Sequence, residues 1–299
     1  MQLIKRLSTP QIMRQVIYAL IPVIIASLAI FGFGVIKQIV FAILTALIID
    51  MIAEKIQGKK FGYFINDYSS ILTALLLAIS IPTIAPLWVI IIGVSFALIF
   101  AKYAYGGLGN NIFNPAMVGY VFLLISYPAQ MASWQSLDIF ISFNDLFSLG
   151  SNIDAISSAT MLDSMRNNLP FIENNNNLFI IFAAIIGGIY LIFKKIISWH
   201  IPFAVTIASI FTLILISIFN NISLDLMQLF AGGFFFAIFF IATDPVSTCA
   251  TNKGRIIFGI MVGFLLIIIR TFGNYPDGIA FAILIANMFV PLIDYYIKK

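Results

Sequence analysis

Charge, cysteine and histidine are what this chain has least of. One cysteine, Cys249, and one histidine, His200, stand in 299 residues. That excludes an internal disulfide and a histidine-rich metal site. Charged residues make up 9% of the chain and hydrophobic residues 62%, a balance that excludes a soluble globular domain or a disordered segment. Neither a phosphate-cradling GxxxxGK[ST] loop nor a dinucleotide-binding glycine fingerprint in strand context is present, so this chain holds no nucleotide by either route. Nothing points to a nucleic acid as partner.

What is present is apolar sequence almost from end to end. Runs such as "VIYALIPVIIASLAIFGF" and "RIIFGIMVGFLLIIIR" predict one polytopic bundle in a lipid bilayer, with about ten spans centred near Ile25, Ile43, Leu75, Gly93, Leu123, Ile185, Ile210, Phe236, Gly263 and Ile285. Lys5, Arg6 and Arg14 precede the first run as they would in a signal peptide. No small-residue cleavage site leads into a soluble chain, and the run reads as a retained span. With a cytoplasmic N-terminus, 13 of the 16 lysines and arginines fall on inside loops, leaving Lys37, Arg166 and Arg270 outside. This asymmetry predicts both termini in the cytoplasm and the longest polar segment, 133–177, outside. That segment carries Asp138, Asp145, Asp154, Asp163 and Glu173, and its "ENNNN" run is compositional drift to which we assign no role.

The organisation reads as a first repeat over 1–132, the outward loop over 133–177 and a second repeat over 178–299. "SIP" at Ser80–Pro82, Gly109-Asn110 and Pro128 are matched by "TDP" at Thr243–Pro245, Gly273-Asn274 and Pro291. The Pro-to-Gly and Gly-to-Pro intervals of the two sets each differ by a single residue. Two halves of five spans each must lie in opposite orientations, so an all-α fold of inverted repeats with broken helices is predicted. Proline removes an amide donor, and at membrane depth the freed backbone groups need partners. Asp244, with Thr243, Ser247, Thr248 and Thr251 nearby, is either part of an ion or cofactor cradle or a helix cap beside Lys253 and Arg255. Asn110, Asn111, Asn114 and Asn274 offer donors and acceptors suited to a planar ligand such as a flavin ring, although turn chemistry has the same composition. Arg270 and Asp277 are expected to pair. Asp50 and Asp294, at span ends, are expected to anchor the interface.

The remaining polar stretch is "NIDAISSATMLD", Asn152 to Asp163. With no histidine nearby its hydroxyls cannot be base-activated nucleophiles. They are accessible acceptors for a modifying enzyme, or simply parts of a turn.

"DAISSATMLD" resembles the flavin attachment site of the RnfD and NqrB family, membrane subunits of ion-translocating electron transport complexes. "AKYAYGGLGNNIFNPAMVGYVFLLISYPAQMASW", "WHIP", "TDPVSTCATNKGRIIFG" and "RTFGNYPDGIAFAILIANMFVPLIDYY" extend the likeness over almost the whole chain, closer to RnfD than to NqrB. The resemblance implies FMN joined through its phosphate to Thr160, with Asp154, Ser157 and Ala159 as the other motif positions. Ala155 and Ser158 depart from the glycines common at those places. It also implies a flavin transferase for maturation, and partner subunits with Fe-S clusters, nucleotide sites and a second covalent FMN, together with small membrane subunits. A noncovalent riboflavin within the bundle is implied by the NqrB side of the family. The implied role is a subunit of a ferredoxin:NAD oxidoreductase system that moves Na⁺ or H⁺ across a bacterial cytoplasmic (inner) membrane. This chain alone would hold no complete active site. The readings set against it are a solute or ion channel without redox chemistry, and a paralogue that reduces a redox regulator.

Overall fold

The computed structural model describes residues 7–136, 139–143, 157–158, 160, 162, 164, 176–220, 226–273, 275 and 277–298. Asp154, Ala159 and Asn274 lie outside the described residues, as do Asp138, Asp145, Asp163, Arg166 and Glu173.

The fold is all-α and integral to the membrane. Its helices are α1 (Thr9–Phe31), α2 (Gly34–Ile56), α3 (Ser69–Ser80), α4 (Leu87–Ala101), α5 (Pro115–Ser126), the single turn α6 (Pro128–Ala132), α7 (Asn176–Phe193), α8 (His200–Asn220), α9 (Phe234–Phe236, continued as a π-turn over Ala237–Ile241), α10 (Asn252–Phe272) and α11 (Ile279–Lys298). Each of the ten expected span centres falls inside one of these. Six of them, α1, α2, α4, α8, α10 and α11, are long and apolar enough to cross a bilayer alone. The others are shorter, and proline stops α3, α5 and α9. α3 ends at Ser80, ahead of Pro82, since the residue before proline is pushed out of the helical region. α9 gives out ahead of Pro245, and α5 ends at Ser126, ahead of Pro128. The landmark pair Pro128 and Pro291 behaves unequally: the first starts a new turn, while the second lies within α11.

Several packing contacts recur in the two halves, although α3 also packs on α4 and α5 and α1 on α2. α2 packs on α4 and α8 on α10; α4 on α5 and α10 on α11; α1 on α3 and α7 on α9; α2 on α3 and α8 on α9. Across the halves, α1 meets α7 and α5 meets α11. Small residues set these seams, as expected where lipid is as apolar as leucine and only close approach drives association. A Cβ on Gly259 would sit 2.7 Å from Ala204 Cβ, and one on Gly263 would sit 2.5 Å from the Val205 carbonyl oxygen. Phe193, Phe203, Phe211 and Phe219 point outward instead, as lipid-facing phenylalanines should.

A two-residue antiparallel ribbon, β1 (Trp134–Gln135) with β2 (Ser157–Ser158), closes one end of the bundle. Gln135, 3% exposed, fastens it to the first half: its side chain accepts from Thr83 Oγ1 (2.6 Å) and donates to the Phe31 and Ile139 carbonyls. Gly32, at φ +75°, allows Phe33 N to reach the Ile141 carbonyl (2.9 Å), where any Cβ would collide.

Candidate functional site

Thr160 follows the ribbon directly. Its carbonyl accepts from Ser164 N (2.9 Å), giving one helical turn whose Leu162 is buried while Thr160 is partly exposed. Leu162 rests on the second half: its Cδ1 is 2.7 Å from where a Cβ on Gly232 would be. The hairpin around Gly232 is in turn held by Arg270, which donates to the Gln228 and Ala231 carbonyls and pairs with Asp277 (3.1 Å). The expected Arg270–Asp277 pair is therefore present. The threonine loop is tied to the first half through Gln135 and to the second through Leu162, so Thr160 stands over the junction of the halves. Ser157 lies in β2, and its side chain is outside the described atoms.

The broken segments meet at a cavity of about 40 Å³ between the halves, lined by Ser69, Thr73, Lys102, Asn114, Thr243 and Asp244 among others. Asn114, 3% exposed, caps α5 by accepting from Met117 N (3.2 Å) and donates to the Ile241 carbonyl (3.3 Å) where α9 ends. Asn287, fully buried in α11, has its amide oxygen turned to accept from Asn114 N (3.1 Å) and its nitrogen to donate to the Ser247 carbonyl (3.1 Å). These bonds satisfy the backbone groups that the break sets free at depth. The π-turn before the break leaves Ala242 N bonded to the Ala237 carbonyl (2.8 Å), a distortion frequent at functional sites. Asn110 is separate from this set: it sits exposed on the turn, with its N–H on the Gly107 carbonyl (3.4 Å).

Around Asp244, one of the four nearby hydroxyls faces the carboxylate. Ser247 donates to Oδ2 through Oγ (2.7 Å) and N (3.3 Å). Thr248 bonds the Asp244 carbonyl, Thr243 the Phe239 carbonyl, and Thr251 caps α10 by accepting from Gly254 N. Asp244 thus both shapes its own turn and lines the cavity.

Cys249, buried in the loop after the break, is pushed up to about 12 by burial, with Asp294 adding to the shift. A thiol so rarely ionised and so enclosed should resist maleimide in the native protein and label promptly once the chain is denatured in dodecyl sulfate. Mass spectrometry of the two samples checks this.

Two expectations fail at the other end of α2. Asp50 is not an interfacial anchor: it is 0% exposed, and Lys102, counted among the loop cations, is 1% exposed. They meet because α2, the start of α3 and the end of α4 converge there. Lys102 Nζ donates to Ser69 Oγ (2.7 Å) and Ser70 Oγ (2.6 Å), and Ser70 Oγ donates to Asp50 Oδ1 (2.6 Å). The signal was legible: an acid seventeen residues into α2 and a lysine directly after the largely apolar α4 are costly in lipid unless they pair. Asp294 does anchor, accepting from Ala250 N (3.1 Å).

The geometry defines a class: a polytopic helical membrane protein with broken helices facing one another at a polar centre, and a hydroxyl-bearing turn fastened to both halves. Comparison makes it specific. The sequence profile of the NQR2, RnfD, RnfE family matches residues 2–299, and the chain belongs to that family. It is 43% identical to the D-type subunit of the ion-translocating oxidoreductase complex of Actinobacillus succinogenes, over 97% of this chain and 92% of that protein. The corresponding proteins of Haemophilus influenzae (43% identical, 97% and 92% covered) and Salmonella paratyphi A (40%, 97% and 93%), which bear the same name, are similar to it in the same way.

Proposed function

We infer that this chain is the membrane subunit of an Rnf-type ion-translocating electron transport complex, and that Thr160 carries its FMN. The observation that carries the reading is the coincidence, in a chain matched from end to end by the family, of the attachment motif with a turn fastened to both halves of the bundle. The residues suit the group: Thr160 is partly exposed, and Ser157, Ser158 and Ala159 before it are small. A flavin held there would supply one- and two-electron transfer. The chain supplies attachment and placement. Gln135 and Leu162 fix the loop over the seam between the halves, and a covalent bond keeps the group from dissociating.

The matched packing of the two halves supports an inverted repeat, and the distribution of lysine and arginine supports cytoplasmic termini with an outward Thr160 loop, in a bacterial inner membrane. A riboflavin ring does not fit the cavity of about 40 Å³ that Asn114 and the broken helices line, so a noncovalent riboflavin would sit elsewhere in the bundle. The partners are then the Fe-S and nucleotide-binding subunits, a second FMN-bearing subunit and small membrane subunits, with a flavin transferase acting in assembly.

The test is in-gel ultraviolet fluorescence after denaturing electrophoresis of the chain co-expressed with a flavin transferase. A fluorescent band supports the redox reading. A dark band, with the transferase active on a control substrate, overturns it in favour of a permeation protein of the same fold.

Asp244 lines the cavity between the halves, and we assign it to the coupled ion. Asp244→Asn is expected to uncouple ion uptake from electron flow in vesicles carrying the assembled complex, at unchanged flavin content. Unchanged coupling would remove Asp244 from the pathway.

A further inference from the structure

Lys102 separates two spaces. One is a recess of about 410 Å³ opening to the surface, lined by Thr9, Lys59, Asn66, Asp67 and Gly106 among others. The other is the cavity of about 40 Å³ between the halves. Leu108 borders both, and between them stand Asp67, Ser69 and Lys102. Lys102 Nζ donates to Ser69 Oγ (2.7 Å), Ser69 Oγ donates to Asp67 Oδ1, and Nζ lies 3.9 Å from Asp67 Oδ2. A second arm runs from Nζ through Ser70 Oγ to Asp50 Oδ1, which also accepts from the Tyr103 hydroxyl. Asp50 Oδ2 is buried with no hydrogen-bond partner among the described residues, and such an atom is costly in a dry interior unless it is protonated or takes a ligand.

We propose that Asp67, Ser69 and Lys102 form a proton relay leading from the surface recess to the cavity between the halves, that Ser70 and Asp50 are its buried side arm and proton store, and that Lys102 bars metal cations from the same route. Its physiological meaning rests on the ion-translocating reading above; the relay itself does not. The inner cavity is large enough for about one to three waters. A sodium ion would have to pass in contact with a buried ammonium, whereas a proton needs only the reorientation of hydroxyls already in contact with their partners. Inward transfer balances group by group. Lys102 gives a proton to Ser70 Oγ as the Ser70 proton passes to Asp50. The neutral amine then takes the proton of Ser69 Oγ, which turns toward it and is refilled from a protonated Asp67. The net movement is one proton, with no oxidant or reductant. When Lys102 releases its own proton to a cavity water, the Asp50 proton returns through Ser70 to the neutral amine, and the net movement carries one proton from Asp67 toward Asp244.

The other charged and titratable groups facing the relay are placed for other work. Glu54, from α2, accepts the Gly62 and Phe64 amides (2.9 and 2.7 Å). Arg14, from α1, stacks over Tyr68 (5.7 Å to the ring centre), and Lys59 lies over Tyr63 at the rim of the recess. From the second half, Asp244 faces Lys102 across the cavity. Recess and relay lie at the end of the bundle where Lys55, Lys59 and Lys60 collect, the side that positive-residue counting assigns to the cytoplasm.

The test is a pH jump on the full chain in lipid nanodiscs, followed by time-resolved infrared detection of the carboxyl C=O band of protonated Asp50. The band is identified by its loss in Asp50→Asn. Should that variant not fold, carbon-13 aspartate labelling with subtraction of Asp67→Asn and Asp244→Asn identifies it instead. Ser69→Ala is expected to slow protonation at least tenfold and Ser69→Thr to restore it. Lys102→Arg keeps the charge but gives up no proton, and should slow it similarly. Wild-type rates in both Ser69→Ala and Lys102→Arg would overturn the relay, as would the absence of any protonated Asp50 band. Loss of the band on adding sodium at constant pH would overturn cation exclusion and make the site a sodium site. Chain without flavin should give the same kinetics, so a failed flavin assignment leaves this result intact.

Discussion

Replacing Thr160 by valine is expected to abolish covalent flavin on this chain while leaving the bundle folded. Valine matches threonine in shape, so Leu162 can stay packed against Gly232, and the Thr160 carbonyl bond to Ser164 N (2.9 Å) needs no side chain. What is lost is the single oxygen that a phosphodiester requires. Thr160→Ser keeps that oxygen on a less restrained side chain and should still be flavinylated, more slowly. In-gel fluorescence and intact-protein mass resolve the three cases. A labelled Thr160→Val chain would move the attachment elsewhere, with Ser157 and Ser158 the nearest hydroxyls in β2.

The second large effect is expected at the seam between the halves. A Cβ on Gly187 would sit 2.3 Å from the Ala19 carbonyl oxygen and 2.7 Å from the Phe240 ring, so α1, α7 and α9 can meet only because that position has no side chain. The Ala19 carbonyl belongs to helix backbone and cannot swing aside. Gly187→Val should therefore push α7 off α1, at a cost of about 3 kcal/mol, the upper part of the range for overpacking. That cost should appear as a clear drop in the detergent unfolding midpoint. Ile186→Ala, at a neighbouring residue that faces outward, is the control and should be close to neutral. Equal midpoints for Gly187→Val and wild type would mean that the seam tolerates a side chain.

Ten helix centres and the class of fold could be read from the residues, because each rests on a local property. Apolar runs of bilayer length and prolines that stop a helix need no knowledge of what lies across the bundle. The pairing of Arg270 with Asp277 was also legible, both lying in one short stretch of the chain. The positions of the asparagines were only partly so. Asn114 lines the cavity and Asn110 does not, and four residues of sequence separation do not say which of two amides a turn will bury.

Tertiary structure alone decided the contacts between distant elements. Asn287 reads as one polar residue in an apolar helix until α11 is laid against α5 and the break after α9. Asp50 and Lys102 read as an interfacial acid and a loop cation until three helix ends converge and bury both. The physical reason is the same in each case. Sequence determines where a polar group enters the bilayer, since that costs free energy wherever the chain puts it. Which partner offsets the cost depends on the packing of helices far apart in the chain.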